Sequence, residues 1–109
     1  MSYLIVCKDG FRFSIAANDN GSYSTPRYSK GPYTAIEIGF PTRVEPLLKK
    51  YAEPKYCYET DDYLSFEDSA TQIVYPYVPA SLLIKVIGKH GGLKEGKLPP
   101  LISVPVSKD

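Results

Sequence analysis

Two cations and a run of tyrosines sit close together early in this chain. In YSTPRYSKGPYTAIEIGFP, residues 23–41, Arg27 follows Pro26, Lys30 precedes Gly31, and Tyr23, Tyr28 and Tyr33 interleave with them. A guanidinium fork, an ammonium and the backbone N–H groups of a glycine-bearing loop are what a phosphate needs. Flat phenol rings are what a nucleobase needs, and stacking is worth about 1–3 kcal/mol per base. Tyr75 and Tyr77, in QIVYPYV, supply two further rings. Arg27, Tyr28, Lys30, Tyr33, Tyr75 and Tyr77 are therefore the candidate ligand-binding residues. The same residues also fit a blander arrangement, with Arg27 solvated at the surface and the tyrosines filling half-buried strand positions.

Chemistry that makes or breaks bonds is harder to find. Nucleophilic catalysis needs a nucleophile, a base and a group that orients the base. The chain has one histidine, His90, so any histidine-dependent scheme falls to it. Its place before Gly91-Gly92 suits a cation or polar cap at a helix end. Five carboxylates lie between Glu59 and Asp68, but no spacing selects an acid–base pair. That stretch also lacks the glycine and the ligand series of a calcium loop, and no P-loop, GxGxxG or zinc spacing occurs. The expectation is a binding protein, not an enzyme, with no metal and no cofactor.

The elements that must hold these groups follow from periodicity. Residues 3–7 and 11–16 are two strands around Lys8-Asp9-Gly10, where Asp-Gly predicts a type I′ hairpin turn. Residues 18–33 form a long loop, and two prolines with three aromatics argue against pure mobility. Thr34–Phe40 is a strand with Ile36, Ile38 and Phe40 on one face. Glu37, on the other face, is either solvated or paired with an arginine. Thr42 and Glu45 fit a capping box for a helix running to Tyr51, with Val44, Leu47, Leu48 and Tyr51 as its apolar stripe. Residues 56–70 read as an acidic insertion, pinned by Tyr58, Tyr63, Leu64 and Phe66 as a short helix or hairpin. Gln72–Val78 is a strand with Ile73, Tyr75 and Tyr77 on one face, and Pro76 makes it an edge or bulged strand. Pro79 then opens a helix with Leu82, Leu83, Val86 and Ile87 buried, closed by Gly91 or Gly92. Residues 93–109 read as a linker and a proline-rich extended tail.

The totals agree with one domain over 1–109. The predicted architecture is α+β: a mostly antiparallel sheet of four or five strands with two helices packed on one face. A net charge of +1 gives no global field for duplex nucleic acid or anionic membrane. No apolar run reaches the roughly 18 residues of a membrane span, and the first residues show no signal-peptide pattern. Cys7 and Cys57 have no metal or redox spacing. They are expected as free thiols in a cytoplasmic protein. Ten tyrosines without a tryptophan suit interfaces and ring stacking.

Two blocks also carry a family resemblance. Thr25-Pro26-Arg27 followed by GPYTAIEIGFP at 31–41, and VYPYVPASLLIKVIGKHGG at 74–92, resemble a group of small proteins from tailed phages and prophages. The likeness covers roughly 23–52 and 72–92. Within that group the chain resembles the phage sponges that defeat Thoeris immunity. These sequester a cyclic ADP-ribose-type signal, and some members also hold cyclic oligonucleotides. The resemblance implies a non-catalytic homo-oligomer acting in the infected bacterium, with pockets near subunit contacts. Arg27, Lys30 and Tyr33 would surround phosphate or ribose, and Tyr75 or Tyr77 would stack on adenine. The 56–70 insertion and the tail depart from the pattern. The alternative expectation is a protein–protein inhibitor of a host defence complex, of the anti-restriction or anti-CRISPR kind, using the tyrosine-rich surface and the acidic stretch 59–68. A virion or housekeeping structural protein is a third.

Overall fold

The computed structural model describes residues 2–17 and 22–102. Five strands make an antiparallel sheet: β1 (Ser2–Cys7), β2 (Arg12–Ala16), β3 (Ala35–Gly39), β6 (Val74–Pro79) and β7 (Leu93–Glu95), in the order β6-β3-β2-β1-β7. A separate small hairpin joins β4 (Tyr56–Cys57) to β5 (Asp62–Tyr63). The helical parts are a 3-10 helix (Pro46–Tyr51), α1 (Phe66–Ser69) and α2 (Ala80–Lys89). The architecture is α+β, as the periodicity predicts.

Alternation decides which face is buried. Ile5, Cys7, Phe13, Ile15, Ile36 and Ile38 point inward, and Leu48 of the 3-10 helix with Leu83, Val86 and Ile87 of α2 joins them in one core. Leu4, between Tyr3 and Ile5, is 61% exposed on the opposite face. One face of the sheet is thus covered and the other is open.

Several local expectations change. The first turn is not type I′. Only Gly10 has positive φ (94°), and Cys7 N–H donates to Phe11 C=O at 2.8 Å across a three-residue loop. Asp9 accepts from Phe11 N–H at 2.9 Å and so fixes that loop by its side chain. The capping box is also absent. Glu45 is itself the N-cap, accepting from Leu47 N–H at 2.8 Å, with Pro46 the first helical residue. Thr42 instead extends the β2 ladder, exchanging bonds with Arg12. Val44 therefore leaves the apolar stripe and is 41% exposed.

Phe40 does not share a face with Ile36 and Ile38. Its φ of 51° ends the strand and swings the ring out, 58% exposed. In β6 the register slips between Ile36/Val78 and Ile38/Tyr75, so Pro76 and Tyr77 together oppose Glu37. The missing N–H of proline is tolerated at such a bulge. Tyr77, at φ 55°, is turned outward and 43% exposed while Tyr75 is fully buried. The two rings therefore lie on opposite faces.

α2 begins one residue later than expected, with Pro79 ending β6 as the N-cap; Leu83, Val86 and Ile87 are buried as expected, while Leu82 is half-buried. Gly91 and Gly92 both take positive φ, and Gly92 N–H closes on Ile87 C=O at 2.9 Å. Residues 93–95, expected as linker, form the fifth strand against β1. Further on, Ile102 N–H donates to Tyr33 C=O and Tyr33 N–H to Pro100 C=O, both at 2.8 Å. The expected mobile-or-functional loop 18–33 and the tail fall partly outside the described residues, at 18–21 and 103–109. Among the described residues no helix is long and apolar enough to cross a membrane.

Candidate functional site

The bulge in β6 builds the candidate site. It frees the Tyr77 N–H from the ladder, and that group donates to Tyr23 C=O at 3.0 Å. Tyr23 N–H in turn donates to Glu37 Oε1 at 3.2 Å. Glu37 is thus neither merely solvated nor an arginine's partner in this contact: it anchors the loop backbone to β3. These two bonds bring the Tyr23 ring to 5.8 Å from the Tyr77 ring, tilted by 55°.

Arg27 completes the cluster. Its guanidinium lies 4.7 Å from the Tyr23 ring centroid and 5.4 Å from that of Tyr28. Tyr23, Tyr28 and Tyr77 are all exposed, Tyr28 most of all at 68%. The result is a surface row of planar groups, Tyr77–Tyr23–Arg27–Tyr28. A cation over a ring at an exposed site gains about 0.5–1 kcal/mol. Stacking also limits the rotamers of the long arginine chain, so less entropy remains to be lost when it takes an anion. Lys30 is exposed on the same loop.

Two of the expected rings are elsewhere. Tyr33 is 1% exposed and Tyr75 is 0% exposed, so neither offers a face to a ligand. Both spend their hydroxyls on backbone carbonyls: Tyr33 donates to Ser29 at 2.5 Å and Tyr75 to Ala70 at 2.6 Å. Burial pushes the Tyr75 phenol up to about 12. The Gly31 N–H, expected to be open to phosphate, is bonded to Ser29 Oγ at 3.1 Å. Of the six candidates the structure brings together Arg27, Tyr28 and Tyr77. It adds Tyr23, which belongs to the same loop and was not among the six. Its signal was indirect: Pro76 marks a bulge, and a bulge reverses the next side chain toward whatever loop lies outside.

A second polar cluster forms around His90, which caps the end of α2 as expected, but its partners had no signal in the sequence. His90 Nδ1 lies 2.6 Å from Asp9 Oδ2 and Nε2 lies 2.7 Å from Glu45 Oε1, while the ring stacks on Phe11 at 4.0 Å. Lys89 Nζ reaches Glu45 Oε2 at 2.9 Å and Arg43 reaches Asp9 Oδ1 at 3.2 Å. Three partners far apart in sequence thus close the end of α2 onto the first hairpin and the 3-10 helix. The Asp9 carboxyl is held below its usual range by the Phe11 N–H and, against some desolvation, by His90 and Arg43. Burial pushes the Glu45 carboxyl up, but the Leu47 N–H, Lys89 and His90 outweigh it and the net shift is downward. Each ring nitrogen of His90 therefore meets a carboxylate oxygen of a different segment.

The cysteines are both free thiols. Burial, with Asp9 nearby, pushes the Cys7 thiol up. The Thr60 hydroxyl and the Thr60 and Glu59 N–H groups pull the Cys57 thiol down. No three His, Cys, Asp or Glu side chains among the described residues are grouped to hold a metal ion. No protein-family model, curated protein or solved structure matches this chain.

Proposed function

We propose that this protein is a non-catalytic binder that captures a cyclic nucleotide immune signal, of the cyclic ADP-ribose or cyclic oligonucleotide kind, and withholds it from a host effector. On this reading it is a phage counter-defence protein, working as a homo-oligomer in the cytoplasm of the infected bacterium. The observation that carries the binding part is the exposed row Tyr77–Tyr23–Arg27–Tyr28, in which a guanidinium lies against two phenol rings. Arg27 neutralises phosphate, Lys30 adds charge on the same loop, and Tyr28 or Tyr77 stacks on the base. Tyr33 and Tyr75 serve the core beneath. The phage setting rests on the resemblance of residues 23–52 and 72–92. The non-catalytic part of the reading is supported by the engagement of both His90 nitrogens with carboxylates.

Isothermal titration with cyclic ADP-ribose isomers and cyclic oligonucleotides tests this site. Arg27→Ala and Tyr77→Ala should each weaken binding about tenfold or more, with circular dichroism unchanged. Tyr75→Phe, which keeps the buried ring, should bind as the parent does. Tight binding by folded Arg27→Ala would remove the loop from the proposal.

A further inference from the structure

The insertion at 56–70 has its own ordered surface, sharing no residue with the Arg27 cluster. Residues Tyr56–Cys57 pair with Asp62–Tyr63, and Leu64 N–H donates to Lys55 C=O at 2.8 Å to close the base. Lys55 Nζ bonds Gln72 Oε1 at 2.8 Å, tying that base to the segment before β6. Ser65 caps α1 by accepting from Asp68 N–H at 3.1 Å. At the tip Asp61 takes positive φ and accepts from the Tyr56 hydroxyl. The Tyr56 ring meets Tyr58 and Tyr63 edge to face, at 5.0 and 5.2 Å. Yet Tyr58 is 90% exposed and Tyr63 62%. Two neighbouring aromatic rings are thus left in water on one hairpin, a composition that suits contact with another protein.

Charge selects the partner. Glu59, Asp61 and Asp62 are exposed beside these rings, and Glu67 and Asp68 follow on α1. The one cation of the hairpin base, Lys55, is already bonded to Gln72. Asp61 and Asp62 each spend one oxygen within the hairpin, on the Tyr56 hydroxyl and the Tyr63 N–H. Among the described residues no donor meets their second oxygens or the exposed Glu59 carboxylate. Phosphate-bearing partners would be repelled. Arginine fits both features, because a planar guanidinium stacks on a phenol face while its edge forks to a carboxylate.

We propose that the Tyr58/Tyr63 hairpin is a docking surface for an arginine-rich segment of a partner protein. The strands and the ring cluster are formed before binding, so little ordering is left to oppose it.

Fluorescence anisotropy of the full chain with a labelled Arg-Gly repeat peptide tests this, with a Lys-Gly peptide of equal charge beside it. The parent should bind the arginine peptide several-fold tighter than the lysine peptide. The exchange Tyr58→Ser with Tyr63→Ser should weaken binding about tenfold. Glu59→Gln with Asp62→Asn should do the same and flatten the salt dependence, while Glu53→Gln, an exposed acid off the hairpin, should change it less than about twofold. Equal binding by the tyrosine variant, equal affinity for both peptides, or no binding by the folded parent would overturn the proposal. So would sedimentation showing a parent dimer that the tyrosine variant converts to monomer, since the occupant would then be a second copy.

Discussion

Removing the Glu45 side chain should be among the most destabilising single changes open to this chain. Its carboxylate is 1% exposed and accepts from Leu47 N–H, His90 Nε2 and Lys89 Nζ. Glu45→Ala takes away the N-cap of the 3-10 helix, worth about 1 kcal/mol. It also strips His90 and Lys89 of a charged acceptor. Lys89 is 46% exposed, so water replaces part of its loss. His90 is 12% exposed and keeps Asp9, so its loss is nearer the buried case. Breaking a buried pair from one side costs about 3–5 kcal/mol, and with the lysine discounted the total comes to about 3 kcal/mol. Against a domain stability of about 5–15 kcal/mol that is a large share. Glu45→Gln keeps an acceptor for Leu47 and should lose about 1.5–2 kcal/mol. Urea unfolding with linear extrapolation measures both, and the slope should not change. A Glu45/His90 double-mutant cycle should give a coupling above about 1 kcal/mol. A loss under about 1 kcal/mol in Glu45→Ala, or a coupling near zero, would refute the view that this cluster locks α2 to the hairpin.

Acid should act through the same residues. Because the Asp9 and Glu45 carboxyls lie lower in the folded state, the unfolded chain takes up protons first. Their contribution is whole above about pH 4.5 and is lost as pH falls through the folded values, so urea midpoints should drop below about pH 4 and drop less in Glu45→Gln. In an absorbance titration of the tyrosines, Tyr75 should ionise near pH 12 or together with alkaline unfolding, and Tyr75→Phe should remove one late phenol. Native protein should react with a thiol reagent once, at Cys57, with Cys7 becoming reactive only on unfolding. Gly96→Ala should destabilise by about 2 kcal/mol or more, since Gly96 has φ 105° and a Cβ there would meet Leu4 C=O at 2.3 Å.

The fold was legible where one face of an element is buried and the other is not. Phe13 and Ile15, Ile36 and Ile38, and Leu83, Val86 and Ile87 each occupy the side their period predicts. It failed where a single backbone angle overrides the period. Phe40 and Tyr77 both take positive φ, which no side-chain pattern announces, and both rings turn out to solvent. The capping box failed because Thr42 had a better partner thirty residues away in Arg12. Strand β7 is three exposed residues, so it carries no alternation to read. Arg27, Tyr28 and Tyr77 could be named as candidates from their types, but their convergence with Tyr23 depends on a bulge, one backbone bond from Tyr77 and one bond to the Glu37 carboxylate. The Asp9–Glu45–His90 cluster spans residues 9 to 90 and depends wholly on the tertiary fold.

Native mass spectrometry of the purified chain, titrated with cyclic ADP-ribose isomers and cyclic oligonucleotides, asks whether the protein captures such a signal at all. A stoichiometric adduct with at least one of these ligands should form on a homo-oligomer and be lost in Arg27→Ala while the assembly persists. A folded parent that takes up none of them, or an adduct undiminished in Arg27→Ala, would contradict capture at this loop.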